Sequence, residues 1–237
     1  MPVDDFNHPM CVLAIYAHPD DPEVSCAGTL ARWVDEGAAV HLVVCAQGDK
    51  GSIADGSDAA DLVRNRAAEA DAAALVMGLA SHDNLGLADG EVENTLALRE
   101  ELVRRIRELR PDVVVSCDPT AVFFGSRYVN HHDHRNVGFA VLDACAPAAS
   151  SPRYFPDAGP AHQVSTIYLS GTLEPDTIED IGTTVDRKVD ALCCHRTQVG
   201  DEAELVGDVV RRRAASAGSD AGLAYAEAFR VLRFGSA

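Results

Sequence analysis

The chain has 237 residues, a length that one α/β core can absorb, so a single domain over 1–237 is expected. Hydrophobic residues at 47% and charged residues at 24% are ordinary globular values and argue against disorder. With 37 Asp and Glu against 20 Lys and Arg, the formal net charge of -17 excludes counterion-releasing nucleic-acid binding and disfavours docking on an anionic membrane.

The opening MPVDDFNHPM is acidic and lacks both the basic and the apolar stretch of a signal peptide. No apolar run approaches the ~18–20 residues that a membrane span requires. Cys11 to Tyr16 is a short continuous apolar run, the pattern of a strand buried on both faces. It stops at a polar loop, Ala17 to Glu23, which holds two prolines and three acids. Ser25 then reads as the N-cap of a helix that ends at Gly37. Ala39 to Cys45 predicts a second strand, and Gln47 to Ala60, rich in Gly, Asp and Ser, predicts a loop. Helices are expected over Asp61–Met77 and Asn94–Leu109, with a short strand at Asp83–Leu87 between them. The alternating charges of Arg99 to Arg110 fit a solvated helix face.

Asp112 to Cys117 predicts a further buried strand, followed by an irregular stretch and a helix over His134–Ala144. A Pro, Ser and Ala-rich connection (146–160) leads to a strand at Val164–Leu169. From Asp176 to Phe234 the pattern reads as mostly helical, with turns near Gly200 and Gly218. Alternating strands and helices predict a Rossmann-like, three-layer α/β/α fold with a mostly parallel sheet. Seven scattered cysteines without a CxxC pair fit reduced thiols in a cytoplasmic protein.

In such a sheet, ligands bind beyond the carboxyl ends of the strands. Two segments there carry the richest polar chemistry in the chain. His18, Asp20 and Asp21 follow the first strand, and Asn130-His131-His132-Asp133-His134-Arg135 follows the strand at 112–117. Imidazole plus carboxylate is a normal donor set for zinc or another divalent ion, and a third ligand from the second segment would complete a site.

His18-Pro19-Asp20-Asp21 with Glu23, paired with His131-His132-Asp133-His134, resembles the LmbE-like or PIG-L family of zinc-dependent N-deacetylases. The likeness extends through Gly48-Asp49-Lys50-Gly51-Ser52, Arg66 and Glu69, Leu87-Ala88-Asp89-Gly90, and His195-Arg196-Thr197-Gln198. It implies a Rossmann-like fold with one Zn2+, or another divalent ion, at the strand ends. By the same resemblance His18, Asp21 and His134 are the metal ligands and Asp20 is the general base. His131 is the group that stabilises the oxyanion, and Asp133 is the acid that supports His131 and raises its pKa. Arg66 matches a position that faces the substrate, although an arginine on a helix is often simply solvated.

Three positions depart from the family pattern. Pro22 displaces Glu23 by one residue, and His132 stands where the family often has proline. Val129 occupies the place of a tyrosine that assists the leaving group in some relatives, with Tyr128 one step further away.

The resemblance implies cleavage of an N-acyl amide, first of all N-acetyl, on a small amino sugar or glycoconjugate. The alternative of the same class is an amidase that releases a larger acyl group from a thiol conjugate or natural product. A nucleotide-binding Rossmann module is disfavoured because no GxGxxG follows the first strand. A non-catalytic protein with a structural metal is disfavoured by Asp20, since a closed site has no use for a base. Loops exposed around such a site are compatible with a homo-oligomer.

Overall fold

β1 (Cys11–Tyr16) is buried at every residue but its first, which places it at the centre of the sheet as its apolar run requires. The computed structural model of the chain describes residues 9–51 and 58–234. The first eight residues, and the middle of the 47–60 loop with Ser52, lie outside the described residues.

β2 (Ala39–Ala46) and β3 (Ser81–Leu87) continue the sheet on one side of β1, and β4 (Val113–Cys117), β7 (Thr166–Ser170), β9 (Ala226–Arg233) and β8 (Thr177–Asp180) on the other. β1, β2, β3, β4 and β7 are mutually parallel, whereas β9 runs antiparallel to both of its neighbours.

Alternate residues of β1 feed two cores. Leu13 and Ile15 pack with α4 (Leu96–Leu109) and α5 (His132–Asp143). Val12, Ala14 and Tyr16 pack with Leu30 and Trp33 of α2 (Ala27–Asp35). α3 (Ala59–Met77) and α6 (Val185–Cys193) join α2 on that second face. The expected α/β/α layering is therefore present.

The C-terminal stretch corrects the expectation of a mostly helical region. α6, α7 (Arg196–Val199) and α8 (Ala203–Gly218) are helical, but β8 and β9 are strands. β9 (AEAFRVLR) is made largely of good helix formers, which misleads propensity. Its alternation decides instead: Phe229 and Val231 enter the same core as Trp33.

Two further boundaries shift. A short helix α1 (Asp21–Ser25) begins inside the predicted loop, with Pro22 in its first turn, where a missing N–H costs nothing. Ser25 is thus a helix end, not an N-cap. α5 starts at His132, two residues before the expected position. Arg107 also departs from the solvated helix face. It is buried, and its guanidinium donates to the carbonyls of Ala148, Ala149, Ser151, Tyr154, Phe155 and Gly159, pinning the 146–160 connection.

β1 has β2 on one side and β4 on the other, so the chain reverses its direction of travel across the sheet at this pair. That switch point opens a crevice at the carboxyl ends of β1 and β4.

Candidate metal centre and active site

Both histidine-bearing segments reach this crevice. The chain leaves β1 through Asp20, whose backbone is left-handed (φ 107°) although it is not glycine. Such a conformation costs of order 1–3 kcal/mol and persists where the surroundings enforce it. Here it turns the chain into α1, so that His18 and Asp21 face the same cleft. His134 arrives from the first turn of α5.

Three donors converge. His18 Nδ1 and His134 Nε2 are 3.2 Å apart, His134 Nε2 is 3.0 Å from Asp21 Oδ1, and His18 Nδ1 is 3.4 Å from Asp21 Oδ2. A tetrahedral zinc with bonds of about 2.0–2.1 Å sets its ligand atoms about 3.3–3.4 Å apart, so the two edges that meet at His134 Nε2 are close to the right size, and Asp21 turns its other oxygen to His18. The opposite ring nitrogens are also engaged, which fixes both rings. His134 Nδ1 lies 3.1 Å from Asn130 Oδ1, and Asn130 Nδ2 in turn donates to the Ala121 carbonyl. His18 Nε2 lies 3.1 Å from Asp133 Oδ2 and 3.2 Å from Asp89 Oδ1.

The charge balance points the same way. Burial lowers the pKa of His18, but hydrogen bonds to Asp21 and Asp89 and their charges outweigh it and push the value up to about 11. Burial raises Asp21, yet His134 and His18 hold its carboxyl far below the usual range. The cluster of acids thus demands a positive charge, which a proton on His18 supplies when no cation does. The donor set, its spacing and its charge all fit a divalent ion.

A second grouping, His18, Asp89, His131 and Asp133, also brings possible donor atoms together. It is less suited to an ion because Asp133 is fully buried and its oxygens already accept from the backbone N–H groups of Gly90 and Val92. Asp133 and Asp89 work as supports behind His18.

This placement departs from the expected role of Asp133. Its carboxylate leans on His18, and His131 Nδ1 is 4.0 Å away. His131 instead caps α5: its Nδ1 accepts from the Asp133 backbone N–H. That bond assigns the ring hydrogen to Nε2 in a neutral imidazole. Burial, then the charge of His18, lower the pKa of His131, although Asp133 opposes them. The expected upward shift is not found.

Asp20 stands beside the triangle without belonging to it. Burial and the adjacent Asp21 push its pKa up to about 7, while Arg66 pulls it down. Arg66 is buried, and it donates to the Pro19 and Gly48 carbonyls and to Asp20 Oδ1 at 3.2 Å. A Cβ on Gly48, whose φ is +70°, would run into that guanidinium. Arg66 therefore lines the cleft as a brace for Asp20 and its loop, and is not a solvated arginine.

The cleft has a volume of about 230 Å³, and His131, Tyr128 and Gln198 complete its wall. The model of the PIG-L family, described as GlcNAc-PI de-N-acetylase, matches residues 13–145, more than half of the chain and both histidine segments. The chain belongs to the PIG-L family.

Two relatives are similar over most of this family member. A diacetylchitobiose deacetylase of Thermococcus kodakarensis is 28% identical over 234 residues, 97% of this chain and 85% of its own. A 1D-myo-inositol 2-acetamido-2-deoxy-alpha-D-glucopyranoside deacetylase of Rhodococcus jostii is 28% identical over 264 aligned positions, 84% of this chain and 87% of its own. Among solved structures, the N,N'-diacetylchitobiose deacetylase of Pyrococcus horikoshii superposes with a TM-score of 0.88 at 27% identity, covering 98% of this chain and 88% of its own.

Several PIG-L positions take on a definite place. Glu23 is buried with its Oε2 3.4 Å from Nε2 of the fully buried His195, behind the cleft. His132 points away from the triangle, 3.3 Å from Glu93 and against Asn136. Asn130, a candidate in the sequence for orienting the metal loop, does hold His134, whereas sequence reasoning gave no site role to Asp89 and Gln198. The quoted LADG and HRTQ segments were the available signal for these two. Behind α1, Glu227 accepts from the N–H groups of Gly28 and Thr29, while Lys188 Nζ bonds Glu227 Oε1 at 2.6 Å and the Val24 carbonyl. This buried pair ties α1 and α2 to the sheet.

Proposed function

We propose that this chain is a zinc-dependent hydrolase that removes an N-acetyl group from an amino sugar or its glycoside. The observation that carries the proposal is the donor triangle of His18, Asp21 and His134 with a non-ligand carboxylate, Asp20, at its side. A closed structural site has no need of that carboxylate. The names of the relatives, deacetylases of acetamido sugars, support the same substrate class.

His18, Asp21 and His134 would hold the ion, which when bound supplies Lewis-acid polarisation of the amide carbonyl and acidifies a water molecule. Asp20 takes a proton from the attacking water as its oxygen adds to the carbonyl carbon. Arg66 fixes the orientation of that carboxylate. His131, with hydrogen on Nε2, donates to the oxyanion that develops in the tetrahedral adduct. Asp20 can then return the proton to the departing nitrogen as the C–N bond breaks, leaving a carboxylate and a free amine. A larger acyl group is the less favoured alternative.

No described helix is long and apolar enough to cross a membrane. All seven cysteines are unpaired, which supports a reducing, cytoplasmic setting.

The test is metal analysis of protein prepared without chelators, followed by assay of amine release from N-acetylglucosamine and N,N'-diacetylchitobiose. One equivalent of divalent ion and metal-dependent amine release are expected. Absence of both bound metal and zinc activation would reject the reading.

A further inference from the structure

The cleft has two unlike sides. Tyr128 stands on an exposed hairpin of β5 (Phe123–Phe124) and β6 (Tyr128–Val129), whereas the wall behind Asp20 is a buried polar junction of α1, α3 and α7. At that junction the side chains close a ring. Asp20 meets Arg66 of α3, and one turn further along α3 Glu69 accepts from the Thr197 backbone N–H at 2.9 Å and from its hydroxyl at 2.6 Å. Thr197 belongs to α7, and His195, which leads into α7, returns to Glu23 of α1 at 3.4 Å.

Stability does not explain the last link. His195 and Glu23 are 0% and 2% exposed, and among the described residues neither ring nitrogen nor Glu23 Oε2 completes a hydrogen bond. Buried polar atoms in that state each cost about 1–3 kcal/mol, and apolar side chains often replace such a pair with no loss of stability. Burial lowers the pKa of His195, but its contact with Glu23 and the charges of Glu23, Asp20 and Glu69 outweigh that and raise it. The ring thus lies among carboxylates that arrive from the loop after β1, from α1 and from α3.

The backbone of Asp20 is what the link can serve. Its left-handed φ of 107° persists only where the surroundings enforce it. α1 cannot do so alone, because it has five residues and no side-chain N-cap, far short of the ~12–15 at which an isolated helix holds together. It is gripped from outside, by Lys188 on the Val24 carbonyl and by His195 on Glu23. Asp21 has a local tie of its own, its Oδ2 accepting from the His18 backbone N–H at 2.8 Å. His195 is not among the residues that line the cleft.

Resting on the deacetylase reading above, we propose that His195 is a positioning residue: by gripping Glu23 it sets the pitch of α1, and so the angle at which the Asp20 carboxylate meets the attacking water. A misplacement of about 1 Å at such a group costs up to about 10²-fold in rate.

The experiment measures amine release from N,N'-diacetylchitobiose, zinc Kd and a melting curve for the parent, His195→Phe, His195→Gln, and a double variant that joins His195→Phe to Glu23→Gln. In His195→Phe kcat should fall about tenfold or more, with KM and zinc Kd held within about threefold. His195→Gln keeps a donor at the reach of Nε2 and should recover kcat to within about threefold of the parent. The double variant removes the stranded carboxylate, so it should melt near the parent yet keep the low kcat. It also carries the test if His195→Phe alone does not fold.

Parental kcat in His195→Phe, loss of zinc in step with kcat, a His195→Gln as slow as His195→Phe, or a double variant restored to parental kcat would overturn the proposal. Failure of the zinc-loaded parent to release amine would instead reject the deacetylase reading itself.

Discussion

Replacing Asp20 by asparagine separates proton transfer from the other work of the cleft. The side chains are nearly isosteric, and asparagine tolerates the left-handed backbone that position 20 requires (φ 107°). Arg66 keeps its bonds to the Pro19 and Gly48 carbonyls, so only the 3.2 Å contact with Asp20 is weakened. Asp20 is outside the donor triangle, so the three ligands stay in place. What disappears is the base, worth about 10²–10⁴ in rate.

The expected result is metal content unchanged at one equivalent and kcat for amine release reduced at least about a hundredfold, or about 2.7 kcal/mol of barrier. The assay is amine release at saturating substrate, beside metal analysis and a melting curve on the same preparation. Turnover within threefold of the parent would remove Asp20 from the role of base. Loss of the metal along with activity would show that Asp20 holds the ion, and the assignment of the triangle would fail.

Three further outcomes follow from contacts around the triangle. Asn130→Ala removes the acceptor that orients His134 and should weaken zinc affinity about 10–100-fold, measured by competition with a chromophoric chelator; an unchanged Kd would refute the role given to Asn130. Because His18 in the metal-free protein holds its proton up to about 11, zinc must displace that proton. Affinity should therefore tighten by about tenfold per pH unit between pH 6 and 8, and a flat profile would contradict it. Lys188→Met strands the buried Glu227 carboxylate and should cost about 3–5 kcal/mol. For a chain of this size that is a fall in Tm of roughly 6–20 °C by calorimetry. Adding Glu227→Gln should recover part of it, and no recovery would show that uncompensated charge is not the cause.

The centre of the fold was legible because β1, β2 and β4 are buried on both faces and announce themselves as apolar runs. β9 was not, because Ala226, Glu227 and Arg230 satisfy helix statistics and its strand state depends on pairing with β7, sixty residues earlier. Glu227 shows why local rules fail there: its charge is acceptable inside the strand only because Lys188 and the start of α2 meet it.

At the site, the histidine segments stood out by composition. The direction of each side chain did not. Asp133 sits two residues from His131 in sequence, yet the turn into α5 sends its carboxylate to His18. Asp89 and Gln198 come from other elements, and only the register of β3 and the packing of α7 bring them to the cleft.

The donor triangle joins residues three apart in the chain with one 116 positions away. A cation cannot organise such a site early in folding, because His134 reaches it only after β4 has paired with β1 and α5 has docked. On the proposed reading the ion would be captured on a scaffold that is already built. Were the proposed ion required, its supply, rather than completion of the fold, would set how much of the protein is competent to act.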